Sequence, residues 1–172
     1  MAYRIIALGG EPATGKSYIM RRILKHYNPK YSFVYNLITG RYCKKNDIYF
    51  IGIYDRKAFS GTDRLSMACQ PDFIELVKRN NNSTFVFEGD RLFNQSLFDK
   101  LSCNIFVLRV SKDIIDLRHS VRKDNQSKSF KLSKLTKINK IIGNNKTLAL
   151  CLFGNLEYHL HAIETALHNR KF

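Results

Sequence analysis

An α/β fold of three layers, with a central, mostly parallel sheet between helices, is what this sequence predicts. Three observations carry the prediction. Short apolar runs alternate with amphipathic stretches, the pattern of strand–helix–strand units. The first run, Tyr3 to Leu8, ends at a glycine pair and suits a strand buried in a parallel sheet. The chain has 172 residues, only three prolines, and no repeat, low-complexity block or linker, which makes residues 1–172 a single domain.

The elements follow in order. Ser17 to Tyr27 places Ile19, Met20, Ile23, Leu24 and Tyr27 at helical spacing, with Arg21, Arg22, Lys25 and His26 on the other side. Between residues 31 and 54 the period changes. Phe33, Tyr35, Leu37, Tyr42 and Ile48 to Ile53 alternate or run as strands, broken by Gly40 and by Lys44-Lys45-Asn46-Asp47, and predict an inserted antiparallel β-hairpin or meander. Asp63 reads as the N-cap of a short helix, and Pro71 as the first residue of another running to about Asn80. Ser83 to Phe87 is the next strand and Phe93 to Leu101 a helix. Cys103 to Val110 is a further strand, after which Ser111 caps a helix carrying Ile114, Ile115, Leu117 and Val121. Leu148 to Phe153 reads as a strand, and a last helix sets Leu156, Leu160, Ile163 and Leu167 on one face.

Composition narrows the class. With 44% hydrophobic and 12% aromatic residues the chain is globular, not generally disordered. It has no apolar run of the length a membrane span needs, and its first residues lack the pattern of a signal peptide, so a cytoplasmic location is expected. The widely spaced Cys43, Cys69, Cys103 and Cys151 fit neither a zinc site nor a redox pair and are expected to be reduced thiols. His159 and His161 fall on different faces of the last helix, which argues against a metal role.

The charge is the unusual quantity: 29 Lys and Arg against 14 Asp and Glu give +15. Such a balance either points to an anionic partner such as nucleic acid, nucleotide or anionic lipid, or reflects a Lys-rich proteome. The cations concentrate in two stretches. Residues 21–57 hold nine basic and two acidic residues, and residues 112–146 hold ten and three. In the second stretch Lys128, Lys131, Lys134, Lys137 and Lys140 recur every third residue, a period that drifts around a helix and forms no single stripe.

One motif carries chemistry directly. Gly10, Glu11, Pro12, Ala13, Thr14, Gly15, Lys16 and Ser17 match G-x-x-x-x-G-K-[ST], the phosphate-binding P-loop. Here it follows an apolar strand and opens an amphipathic helix, the context the motif requires. Glycines let successive backbone N–H groups converge on a β-phosphate, and the following helix adds its positive end. Lys16 would reach the β- and γ-phosphates of ATP, and Ser17 would take one position on Mg²⁺.

A second piece, Thr84 to Arg91, is an apolar strand that ends in Glu88 with Asp90 two residues on. An acid at this point of a P-loop protein serves Mg²⁺ or takes a proton, and the residues leave open which of Glu88 and Asp90 does which. A third, Ser60 to Met67, offers Thr62, Asp63 and Arg64 either as helix caps or as ligands of a phosphoryl acceptor. A fourth, Arg118 and Arg122, shares a helix face, which is either a solvated basic face or a pair of charges for a transferring phosphoryl group.

The order of these pieces resembles the P-loop nucleoside and nucleotide kinases. It is most similar to a group of bacteriophage P-loop kinases that includes the 5-hydroxymethyluracil DNA kinases of thymidine hypermodification. The residues that carry the resemblance are Gly10 to Ser17, Gly61 to Met67, Glu88 to Arg91, and Arg118, Arg122, Asn125, Gln126, Thr136 and Lys137. The resemblance implies a P-loop kinase fold with a helical lid over residues 112–142. It implies transfer of a phosphoryl group from ATP to the hydroxymethyl group of a pyrimidine in DNA. Lys16, Asp63, Glu88, Asp90, Arg118 and Arg122 would be catalytic, and Ser17, Glu88 and Asp90 would face Mg²⁺. Thr62, Asp63, Arg64, Arg91, Gln126 and Lys137 would bind the acceptor, and Tyr35, Tyr42, Tyr49 or Tyr54 would stack on a base or simply pack. A deoxynucleoside monophosphate kinase and a nucleic-acid-binding ATPase stand as the alternatives.

Overall fold

The structure is a computed structural model that describes residues 3–55, 60–122, 126–146 and 149–168, without the side chain of Arg122. Its centre is a seven-stranded sheet of β1 (Arg4–Gly10), β2 (Tyr31–Tyr35), β3 (Ile38–Cys43), β4 (Ile48–Ile51), β5 (Thr84–Glu88), β6 (Asn104–Arg109) and β7 (Ala149–Phe153). The strand order is β2-β3-β4-β5-β1-β6-β7. The five strands from β4 to β7 in that order are parallel, and only β2 and β3 run antiparallel to their neighbours. Residues 31–54 form the expected antiparallel meander, and it is continuous with the central sheet. They supply three of its strands, because Ile48, Phe50 and Ile51 are buried and β4 lies parallel to β5.

Helices cover both faces. α1 (Lys16–Tyr27) and α6 (Leu156–His168) enclose one core, in which Ile19, Met20, Ile23, Leu160 and Ile163 meet Ile6, Leu8, Phe50 and Val86 of the sheet. α2 (Gln70–Arg79), α3 (Gln95–Phe98) and α5 (Lys128–Asn144) enclose the other, where Phe73, Leu97, Ile138 and Ile141 meet Ile5, Phe85 and Phe87. Alternate residues of β5 face opposite cores, as the period of a strand demands. Phe50, Phe73, Phe85 and Phe87 are fully buried, and truncating any one to alanine should remove about 3–5 kcal/mol of stability.

Three expectations change here. The helix read over Phe93–Leu101 shrinks to α3, capped by the Asn94 side chain, because residues 89–94 are used in a turn that folds back over β1. In that turn the Phe93 ring lies where a Cβ on Gly9 would sit, 1.9 Å from its nearest atom. Second, α4 (Lys112–Arg122) has the amphipathic period expected of it, yet Ile114, Leu117 and Val121 stay exposed. Third, Thr62–Arg64 form a single 3₁₀ turn whose N-cap is Gly61, so Asp63 caps nothing of its own.

The tyrosines of the meander pack more than they present themselves. Tyr49 lies between Tyr42 and Phe85 with ring centroids 4.4 and 5.1 Å away, and its hydroxyl donates to Asn80. Tyr42 donates to Asp47, and Tyr35 sits beneath Arg79.

Candidate functional site

The carboxyl ends of β1 and β5 lie side by side, with Leu8 opposite Glu88. From β1 the chain fills one side of the sheet through β4 and β5, then the other side through β6. Such a reversal of direction leaves a crevice outside the strand ends, the usual place for a ligand in an open α/β sheet. Most of the residues singled out by sequence converge there.

The loop from Gly10 to Ser17 joins β1 to α1. Gly10, Ala13 and Gly15 have φ of 138°, 67° and 102°, a succession that turns backbone N–H groups inward. At Gly15 a side chain is excluded twice over: φ is positive, and an added Cβ would lie 2.5 Å from Leu156. Gly15 also caps α1 without any side-chain acceptor, which leaves the first turn of the helix facing the crevice. Lys16 folds back to donate to the carbonyls of Gly10 and Glu11 at 2.9 and 2.8 Å, and Thr14 donates to Glu11 at 2.8 Å. Arg118 of α4 donates to the carbonyl of Ala13 at 2.8 Å, so the fourth sequence piece does reach the loop. Glu11 itself is paired with Arg109 at the end of β6.

Across the crevice the Ser17 hydroxyl donates to Glu88 Oε1 at 2.9 Å. Glu88 is 2% exposed. Its burial pushes the carboxyl up to about 7; Lys16, the Ser17 hydrogen bond and Arg21 oppose that rise, and Asp63 adds to it. Beside it Tyr54 donates to the Ile51 carbonyl, and burial raises its hydroxyl well above the ordinary range.

The third sequence piece is held against the second by backbone. Gly61 and Ile53 exchange hydrogen bonds of 2.8 and 3.1 Å, and Gly61 lies against Glu88. A Cβ on Gly61 would stand 2.5 Å from Glu88 Oε1, and its φ of 73° with ψ of −147° belongs to glycine. Thr62 is buried and donates to the Glu88 carbonyl at 3.0 Å. Asp63 accepts from the backbone N–H of Asp90 at 2.6 Å and remains exposed at the mouth of the crevice. Partial desolvation raises its carboxyl, the Asp90 charge adds to this, and the Asp90 N–H, Lys16 and Arg91 oppose it.

Asp90 is engaged differently from its expected place at the metal. Its carboxylate accepts from Lys134 and from Lys137, the latter at 3.4 Å, both on α5. Burial raises the Asp90 carboxyl, but the Lys134 hydrogen bond and both lysine charges outweigh it and hold it below the ordinary value. Both oxygens thus tie the end of β5 to α5, while Ser17 and Glu88, with Asp63 nearby, form the oxygen-rich face a hard cation needs. Among the described residues no group of three or more His, Cys, Asp or Glu is arranged to hold a metal ion; Ser17 and Glu88 are the pair that could face Mg²⁺, whereas both Asp90 oxygens are taken by lysines.

The remaining residues spread around this centre. Arg64 pairs with Asp55 beyond β4, and Arg91 donates to the Leu65 carbonyl at 3.4 Å, so both brace the 3₁₀ turn. Gln126 is half-buried just before Ser127, whose side chain caps α5. Lys137 pairs with Asp90 at 3.4 Å. The side chain of Arg122 lies outside the described residues. Sequence reasoning missed Lys134 and Arg109. Lys134 was one of five evenly spaced lysines with nothing to single it out, and Arg109 read only as the end of a strand. His159, for which the sequence argued against a metal role, is fully buried, and its pKa is lowered by that burial and by Arg118 of α4.

No family model matches the chain, and no curated protein matches it. Among solved structures, an uncharacterized protein from Eubacterium ventriosum ATCC 27560 is 14% identical, with 97% of this chain and 99% of that chain covered and a TM-score of 0.48.

Proposed function

We propose that this chain is a P-loop kinase that transfers the γ-phosphoryl group of ATP to the hydroxymethyl group of 5-hydroxymethyluracil in DNA. The observation that carries the reading is the contact of Ser17 with Glu88. It joins the last residue of a phosphate-binding loop to a buried strand-end acid. The parallel order β4-β5-β1-β6-β7, with the loop after the central strand, supports the P-loop kinase fold.

Each residue has a task in that reaction. The loop N–H groups and the start of α1 hold the β-phosphate. Lys16 and Arg118 now satisfy loop carbonyls and would exchange them for phosphoryl oxygens, where their charge stabilises the transition state. Ser17 and Glu88 would hold Mg²⁺, which when bound neutralises charge on the β- and γ-oxygens. Asp63, exposed at the mouth and fixed by the Asp90 N–H, accepts the proton of the acceptor hydroxyl. The acceptor oxygen then forms its bond to the γ-phosphorus as the bond to the β–γ bridging oxygen breaks, and ADP leaves with that oxygen. Thr62, Arg64, Arg91, Gln126 and Lys137 shape the acceptor side. A C5 substituent of a pyrimidine points into the major groove, so the base is flipped out or presented single-stranded to enter the crevice.

The test is the fate of label from γ-labelled ATP offered both to free deoxynucleotides and to a duplex containing 5-hydroxymethyluracil. Label in the duplex is the expected result. Label on free monophosphates alone would replace the reading with a deoxynucleoside monophosphate kinase, and inorganic phosphate alone with an ATPase.

A further inference from the structure

Between Lys16 and Lys45 the chain carries eight Lys and Arg and no Asp or Glu. The fold does not scatter these charges. Arg21 and Lys25 are four apart and so lie on one side of α1, about 6 Å from each other along its axis. Arg41 of β3 joins them, and with Leu24, Asn28 and Tyr54 they line a pocket of about 230 Å³ on the α1 side of the sheet. Arg21, Lys25 and Arg41 are all exposed, and among the described residues none has an acidic partner within ion-pair distance.

Two contacts fix the direction of this pocket. At its inner end are Tyr54 and Arg21, and Arg21 lies one helical turn beyond Ser17, whose hydroxyl touches Glu88. At the far end of α1, Cys43 Sγ donates to the Tyr27 carbonyl at 3.5 Å, so the β3–β4 turn bearing Lys44 and Lys45 meets the end of the helix. The acids nearest in sequence are engaged elsewhere: Asp47 accepts from Tyr42 and Ser83, and Asp55 pairs with Arg64. An unpaired cationic track thus leads away from the crevice. A free nucleotide held in the crevice has no use for charges beyond the helix, whereas a polymer with a repeating negative charge does.

We infer that Arg21, Lys25 and Arg41 form a binding track for the phosphodiester backbone of the nucleic-acid strand whose base enters the crevice. The inference rests on the polynucleotide half of the proposed function. It is tested by binding alone, so the result does not depend on phosphoryl transfer.

The experiment measures, without ATP, the anisotropy of labelled single-stranded and duplex oligonucleotides titrated with the full chain over a range of salt. The Arg21→Gln/Lys25→Gln/Arg41→Gln variant is compared with Lys78→Gln/Lys100→Gln/Lys146→Gln. The latter removes the same charge from exposed lysines of α2 and of the segments after α3 and α5. Thermal melting of each, and the single Lys25→Gln variant, separate a binding effect from misfolding. The track variant should lose about two to three units of slope in log K against log salt, which is on the order of a hundredfold in affinity at 0.1 M salt. The control should keep both. Equal behaviour of the two triple variants would overturn the inference. So would a loss confined to vesicles containing anionic lipid, which would make the track a membrane contact. A loss confined to free deoxynucleoside monophosphates would also overturn it, and would make the pocket a single-phosphate site. If binding fails as expected while labelled phosphate never reaches DNA, the track stands and the kinase reading falls.

Discussion

Ser17 and Glu88 are 71 residues apart in sequence, and their side chains meet at 2.9 Å. One lies in the first turn of α1 and the other closes β5, so the contact exists only because β1 and β5 are paired in register. The serine donates to a carboxyl that burial has pushed up to about 7. A buried carboxyl so displaced, beside the loop and next to the glycine-only conformation of Gly61, is the kind of perturbed group that clusters at functional sites.

The first expected outcome concerns pH. Glu88 has its folded pKa raised from 4.5 to about 7, so it favours the folded protein when protonated. That contribution is full below about pH 4.5 and is lost as the pH rises to about 7. Metal-free Glu88→Gln should therefore match wild type near pH 5 and exceed it at pH 8 by on the order of 2 kcal/mol. Melting curves of both proteins across this range check the sign; a wild-type advantage at pH 8 would refute it.

Lys16→Ala should abolish phosphoryl transfer and leave the fold in place, because the Lys16 ammonium donates to the carbonyls of the loop, at Gly10 and Glu11. Circular dichroism and a melting temperature within a few degrees of wild type, alongside the label assay, are the measurements. Retained transfer would remove Lys16 from the reaction.

Asp63→Asn and Glu88→Gln should fail in different ways. With Asp63 as the base, Asp63→Asn lowers kcat by about 10²–10⁴-fold without changing the Mg²⁺ concentration required. Glu88→Gln raises that requirement. Titrations of rate against Mg²⁺ distinguish the two, and an exchange of the two patterns would reverse the assignment.

Gly61→Ala should cost both stability and activity. The added Cβ meets Glu88 Oε1 at 2.5 Å and the Glu88 carbonyl at 2.7 Å, and the backbone there has φ of 73°. A loss of about 1–3 kcal/mol is expected from the conformation alone, read by chemical denaturation.

Asp90→Asn should loosen α5 more than it unfolds the protein. Lys134 and Lys137 are partly exposed, so the loss is about 1 kcal/mol or less. Hydrogen exchange should quicken in α5 and leave β5 protected; unchanged exchange would show that α5 is held by Ile138 and Ile141 alone.

What the sequence made legible follows from range. The P-loop pattern is local, and its flanking strand and helix can be read within about twenty residues, so β1 and α1 on either side of it were legible. Glu88 was legible because an apolar run ends on it. The meander was legible as antiparallel strands but its place in the sheet was not, because alternation in β2 to β4 says nothing of which strand they join. That was decided by Ile48, Phe50 and Ile51 finding β5. Asp63 had the residue type of a cap, and only the approach of Asp90 shows that its acceptor serves another turn. Lys134 was hidden by its own regularity: five lysines at equal spacing are alike until one helix face meets a carboxylate. The exposed Ile114, Leu117 and Val121 show the converse, an amphipathic period with no core to enter.

Gly9 stands just outside the eight-residue P-loop pattern, and by backbone conformation it has no need to be glycine. The Phe93 ring nevertheless occupies the space of its side chain. The ring acts as a wedge between the loop after β1 and the turn after β5, so the two move as one piece and the gap between them is preset. The tolerance of this protein to substitution is therefore narrower than its motif suggests: the chemical signature starts at Gly10, but the mechanical one starts at Gly9 and ends at Phe93.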